Sequence, residues 1–251
     1  MFKKITITVA LTGLMAGMAF AGTAPKSGIN GSKHDMNIYN ASPDALGRTC
    51  VFCHTPHNAV TVNTAPLWNR ADIAAAPAAY VWKMPTNSPF TIGTDPTVGP
   101  TRLCLSCHDG SVAPDSHLTN NTKAGSKSMV AGDSAYIKDL GKTHPVGFSY
   151  NDAVANTGRG TAELMPVGTG FITAATADLA AFNTNARGTL ATSATKTIAS
   201  VLFGTTGVMT CASCHEVHNT TNASPDTAGA YNYFLHAKEE NSAICLSCHV
   251  K

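Results

Sequence analysis

Charge is scarce in this chain. Asp, Glu, Lys and Arg make up 13% of its 251 residues, against roughly 25% in an ordinary soluble domain. No basic run occurs, so the sequence carries no electrostatic footprint for nucleic acid. Aromatic residues are also few, at 7%, and long periodic apolar runs are missing. A core of long amphipathic helices or alternating strands is therefore not encoded. Beyond the first 21 residues, no stretch approaches the roughly 18 apolar residues of a membrane span. Thr, Ala, Asn, Gly and Pro dominate instead, a composition of turns and loops.

The one long apolar segment opens the chain. Lys3 and Lys4 precede the run from Ile5 to Ala19, and Ala19-Phe20-Ala21 meets the small-x-small rule for cleavage. The run is short for a span. The expectation is an export signal over residues 1–21, with the mature chain starting at Gly22; an uncleaved anchor is the alternative. The residue after the cleavage point is Gly22 and not cysteine, so a lipid-anchored lipoprotein is not expected. Without Lys3 and Lys4, the 17 basic residues become 15, equal to the 15 acidic ones. The exported chain is then formally neutral.

All eight cysteines fall in four copies of one pentapeptide: Cys50-Val-Phe-Cys53-His54, Cys104-Leu-Ser-Cys107-His108, Cys211-Ala-Ser-Cys214-His215 and Cys245-Leu-Ser-Cys248-His249. Cys-x-x-Cys-His is the attachment signature of a c-type haem. Cysteines of an exported protein otherwise read as disulfides, and paired Cys-x-x-Cys units also bind zinc. Neither reading requires a histidine after every pair. The expected cofactor is haem c, four copies, covalently bound through Cys50, Cys53, Cys104, Cys107, Cys211, Cys214, Cys245 and Cys248. His54, His108, His215 and His249 would each supply one axial nitrogen to iron. Roughly 57 mature residues per haem are too few for a separate core around each. The expected fold class is mostly irregular or loop with short α-helices, in which four stacked haems form the core.

The motifs fall into two pairs. The leading motif of each pair carries an added histidine and asparagine, His57-Asn58 and His218-Asn219; the trailing motif has Leu-Ser between its cysteines. This is an internal repeat of a two-haem unit. The first haem-pair module is assigned to residues 22–150, and a linker with the second to 151–251, in one continuous multihaem domain. Helices are expected over Ala174–Asn185 and Thr195–Phe203, with Gly188 and Gly204 as stops. Short helices are expected to follow the attachment motifs. Ala59–Pro100 reads as extended or turn-like, and long strands are not indicated.

Six histidines remain, and bis-histidine ligation of four irons needs four of them. His57 and His218 each lie three residues after an attachment histidine. Neither can reach the opposite face of its neighbour's macrocycle, so each must serve another iron. The simplest assignment gives His57 to the haem of Cys104 and Cys107, and His218 to that of Cys245 and Cys248. One short peptide then pins two irons and brings two porphyrins nearly into contact. His144 precedes Pro145, which stiffens the backbone behind an aimed ligand. His34 lies near the mature N-terminus, where coordination to a haem of its own chain or of a neighbouring chain would tie down an otherwise loose segment. His117 and His236 rank below these four. The methionines Met36, Met84, Met129, Met165 and Met209 read as packing residues rather than ligands.

The run Cys50-Val-Phe-Cys53-His54-Thr-Pro-His57-Asn58, with Cys104-Leu-Ser-Cys107-His108-Asp109-Gly110 and Thr143-His144-Pro145-Val146, resembles the doubled Cys-x-x-Cys-His family of multihaem cytochromes. With four haems in a short exported chain, it is similar to the tetrahaem outer-surface cytochromes of metal-reducing bacteria, of the outer-membrane cytochrome E type. The resemblance covers both motif pairs and the Thr-His-Pro-Val segment, about half the chain. It implies bis-histidine haems, a homopolymer whose stacked haems form a conducting filament, and a ligand supplied by the adjacent subunit.

Electron transfer, rather than catalysis, follows as the expected function, because iron closed on both faces by protein leaves no position for substrate. Electrons would pass along closely packed haems to extracellular acceptors such as metal oxides, or to other cytochromes. The expected location is the periplasm, outer cell surface or extracellular space, without a transmembrane span. A monomeric periplasmic shuttle is the first alternative. A multihaem reductase with an open haem is the second, although no lysine replaces a motif histidine, as it often does in such enzymes.

Overall fold

In the computed structural model the described residues are 28–39, 43–44, 46–55, 57, 59, 67–68, 97–112, 129–137, 139–156, 163–173, 191–221 and 231–250. The expected signal segment, the helix over Ala174–Asn185 with Gly188, most of Ala59–Pro100, His117 and Met84 lie outside them. Among the described residues regular structure is sparse. The helices are α1 (Met36–Tyr39), α2 (Pro100–His108), α3 (Tyr150–Asn156), α4 (Ile198–Val201) and α5 (Ala243–Cys248). Two strands, β1 (Gly170–Ile172) and β2 (Thr192–Thr197), pair antiparallel with an irregular register.

The longest helix, α2, has Pro100 in its first turn, where the missing N–H is no loss and the fixed φ is already helical. It buries Thr101, Leu105 and Ser106 along one face. Gly110, at φ +80°, closes it: its N–H bonds the Cys107 carbonyl, and a Cβ there would collide with the Met129 carbonyl. Only glycine suits such a left-handed, crowded exit.

Two expectations are corrected. Thr195–Phe203 is not one helix: residues up to Thr197 belong to β2, and only Ile198–Val201 is helical. Thr192, Thr195 and Thr197 favour the extended chain, and a reciprocal Thr197–Ser200 capping box starts the helix afresh. The attachment motifs do not start helices either. The second and fourth motifs close α2 and α5, whereas the first and third lie on 3-10 turns, Thr49–Phe52 and Cys211–Ser213.

Among the described residues, two small apolar clusters form. Phe148, Tyr150, Ala153, Ile198 and Met209 are buried together, with Leu164 and Met165 packed against them. The Tyr150 hydroxyl donates to the Met165 carbonyl at 2.8 Å. Leu105, Leu140 and Val146 form the other. Met165 and Met209 are thus packing residues. β1 is tied to α5 by the Ile172 N–H, which donates to Ser247 Oγ at 2.9 Å. No helix among the described residues is long and apolar enough to cross a membrane.

Candidate functional site

Each motif is wound by one helical turn. The histidine N–H bonds the carbonyl of the first cysteine in the first, third and fourth motifs, at 2.9, 3.0 and 2.9 Å, and the second lies within α2. Residues at i, i+3 and i+4 of such a turn share a face. Both thiols and the imidazole of each motif are therefore presented together.

The imidazoles are aimed by their Nδ1 atoms. His108 Nδ1 lies 2.8 Å from the Ala135 carbonyl and His215 Nδ1 2.7 Å from that of Tyr233. His144 Nδ1 lies 3.0 Å from the Pro145 carbonyl, and His218 Nδ1 3.4 Å from a Glu216 carboxylate oxygen. An acceptor at Nδ1 fixes the ring with its Nε2 lone pair outward, as a metal-ligating histidine requires. His236 is held the other way. Its Nε2 lies 3.0 Å from the Ala212 carbonyl, inside the third motif, and its ring packs on Phe171.

Three motif histidines face a second imidazole. Ring centres are 6.3 Å apart for His54 and His218, 5.9 Å for His34 and His108, and 6.2 Å for His144 and His249. Centre separations of this size leave room for one metal ion between two imidazole nitrogens. The donor set thus suits c-type haem: two thiols per motif for covalent attachment, and two imidazoles for iron. Buried Trp68 Nε1, edge-on to His54, has no partner among the described residues; a haem carboxylate is the class of acceptor that would satisfy it. Zinc fits less well, because no group of three or more His, Cys, Asp or Glu side chains converges among the described residues.

The facing pairs differ from two sequence assignments. His218 faces His54 of the first motif rather than His249 of the fourth. The imidazole that faces His108 is that of His34, not that of His57. Both sequence assignments take the nearest motif along the chain. In the fold, the loop after the third motif docks against the first module instead: the Gly28 N–H bonds the His218 carbonyl, and a Cβ on Gly28 would overlap the Asn219 carbonyl. His34 is held by Phe234, whose ring stacks on it at 4.9 Å and 21°. Nothing in the sequence pattern singled out Phe234 or the carbonyls of Ala135 and Tyr233. Exposed His57 and His215 show no ring pairing with another imidazole among the described residues, although His215 lies near His34. His144, placed by sequence at the end of the first module, faces a motif of the second.

Electrostatics agree with a crowded centre. Burial, then the neighbouring His108 and His215, lowers His34 to a pKa of about 4, so it carries the neutral ring that metals bind. The Cys104 thiol hydrogen-bonds that of Cys211; this raises Cys104 and lowers Cys211 to about 7. Burial, then Cys248, Cys211 and Cys245, pushes Cys214 up to about 12. The second motif thus abuts the third, and the third abuts the fourth.

No family model matches this chain, and no curated protein matches it.

Proposed function

We propose that this chain is a tetrahaem c-type cytochrome that carries electrons along closely packed bis-histidine haems. The observation that carries this reading is the set of three facing imidazole pairs, each joining an attachment histidine to a distant one. Cys50, Cys53, Cys104, Cys107, Cys211, Cys214, Cys245 and Cys248 would hold the four macrocycles. His54, His108, His215 and His249 would bind iron on one face. His218, His34 and His144 would bind the irons of the first, second and fourth motifs on the other. When bound, haem supplies one-electron chemistry; the chain supplies spacing, axial ligands and burial, which set distance and potential. Contact between neighbouring motifs supports short steps between irons.

The repeat extends this reading to assembly. Inside one chain, the added histidine of the second leading motif (His218) meets the first leading motif (His54). The added histidine of the first leading motif, His57, is left over, and so is the ring of the second leading motif, His215. The same step taken between copies gives His57 of one copy to the His215 iron of the copy before it. A contact of this kind joins two different surfaces and propagates as a filament. The exported protein would then act at the cell surface or beyond, with metal oxides or other cytochromes as redox partners.

A second reading has one observation in its favour. In a lone chain the iron at His215 would have an open face, which a reductase requires. Spectra of the secreted protein decide between them. A carrier that assembles contains four low-spin haems by mass and absorption; an enzyme keeps a high-spin fraction that binds cyanide or nitrite in its native state. A protein without covalent haem would overturn both readings.

A further inference from the structure

The contact between the two halves of the chain has identifiable parts, and each part has a counterpart at a chain end. After the first motif the Thr55 N–H bonds the Leu67 carbonyl; after the third, the Glu216 N–H bonds that of Phe234. His54 bridges to Trp68, as His215 does to Leu235. Leu67 and Phe234 are therefore the same position of the repeat. Both adopt a left-handed backbone, φ +57° and +59°, a costly conformation for bulky residues. Phe234 is buried on the ring of His34. Leu67 is 53% exposed.

The same comparison holds elsewhere. The Cys211 N–H donates to Thr101 Oγ at 3.1 Å, and the free thiols of Cys104 and Cys211 are neighbours. Counting back three residues from the trailing cysteine, Thr101 corresponds to Ser242, which also carries a hydroxyl and is exposed. Cys104 corresponds to Cys245, and Cys211 to Cys50. Cys245 and Cys50 are the two exposed cysteines of the eight. Half-buried His34 corresponds to His144, which is exposed; each has a glycine at the third position before it, Gly31 and Gly141.

We propose that the interface between the two halves is built a second time between copies of the chain. Leu67 of one copy packs on His144 of the preceding copy, and its Cys50 turn sits against Ser242 and Cys245. This deepens the assembly reading above and rests on it. It follows the logic of stacked repeats, in which each unit meets only its neighbours through one recurring surface. The occupant is a second copy because the surface that covers the equivalent residues inside the chain belongs to the other half of the same repeat. Leu67 lies on the incoming face and Ser242 on the receiving face, so each copy carries one of each.

The test uses the haem-loaded, secreted protein and two variants. Leu67→Asp places a charge on the incoming face. Ser242→Arg places bulk on the receiving face; Ser242 makes no capping bond to α5, so the helix start is spared. Leu46→Asp, at an apolar residue 75% exposed and outside the repeated contact, is the control. Sizing by light scattering should give long assemblies for the native chain and the control, and single chains for each of the two variants. An equal mixture of the two variants should give dimers, since one incoming face and one receiving face remain intact. Each isolated variant should keep four haems by mass while one of the four turns high-spin. Assembly of either variant at native length, or a mixture that stays monomeric, overturns the proposal while leaving a haem-loaded electron carrier standing. A native protein that binds no haem overturns it together with the reading beneath it.

Discussion

The two halves of this chain contain the same parts and use them differently. In the second half, the loop after the leading motif is docked: His218 faces His54, Phe234 stacks on His34, and Gly28 lies against the following backbone. In the first half, the equivalent loop carries His57 and Leu67 exposed. The difference lies in what each half has beside it, not in its local sequence. Here the second leading loop is covered by the first half, and the described part of the first leading loop is not. What packs against a loop, rather than its intrinsic propensity, decides which of its residues are buried.

The largest effect that could break this comparison comes from His218→Ala. It should turn one of four haems high-spin, and that haem should be the one at the first motif. In a background lacking Cys50 and Cys53, the same substitution should add no high-spin iron; in one lacking Cys245 and Cys248, it should still add one. The opposite pattern would restore the assignment to the fourth motif. Next comes a matched pair at the equivalent apolar position. Phe234→Ala should destabilise the single chain by about 3–5 kcal/mol, as for other buried aromatics. Leu67→Ala should change a single chain by no more than about 0.5 kcal/mol. Denaturant melts of monomeric protein would separate the two, and equal costs would contradict the asymmetry.

A pair of substitutions inside the trailing motifs sharpens the point from the other side. Leu105 and Leu246 are both buried, so Leu105→Ala and Leu246→Ala should each cost about 2–5 kcal/mol. Here the two halves should behave alike, because each leucine is buried within the chain. The smallest effect is local. Thr197→Ala removes the capping box that starts α4 and should cost about 1 kcal/mol. A thermal melt should register it without any change in haem spectra.

Much of the donor chemistry was legible in the sequence, because Cys-x-x-Cys-His is a local arrangement completed by one helical turn. The candidate distal histidines could be enumerated from the sequence in the same way. Their partners were not. His218 and His54 are brought together by docking of one half on the other, a contact between residues more than half the chain apart. His34 reaches His108 with the help of Phe234, whose role rests on a strained backbone that no periodicity reports. The helix expected over Thr195–Phe203 failed because strand pairing with Gly170–Ile172 outweighed the apolar spacing of Ile198, Val201 and Leu202. Motifs closing helices instead of opening them was a matter of flanking residues, Pro100 before the second motif and Ala243 before the fourth.

The most direct test of the central claim is the spin state of every haem iron, read by low-temperature electron paramagnetic resonance on the secreted protein before and after its assemblies are dissociated. The account predicts four low-spin irons per chain in the assembly and, on dissociation, one high-spin iron in four, assigned to the His215 site. Four low-spin irons in a dissociated chain, more than one high-spin iron in the assembly, or no haem at all would contradict it.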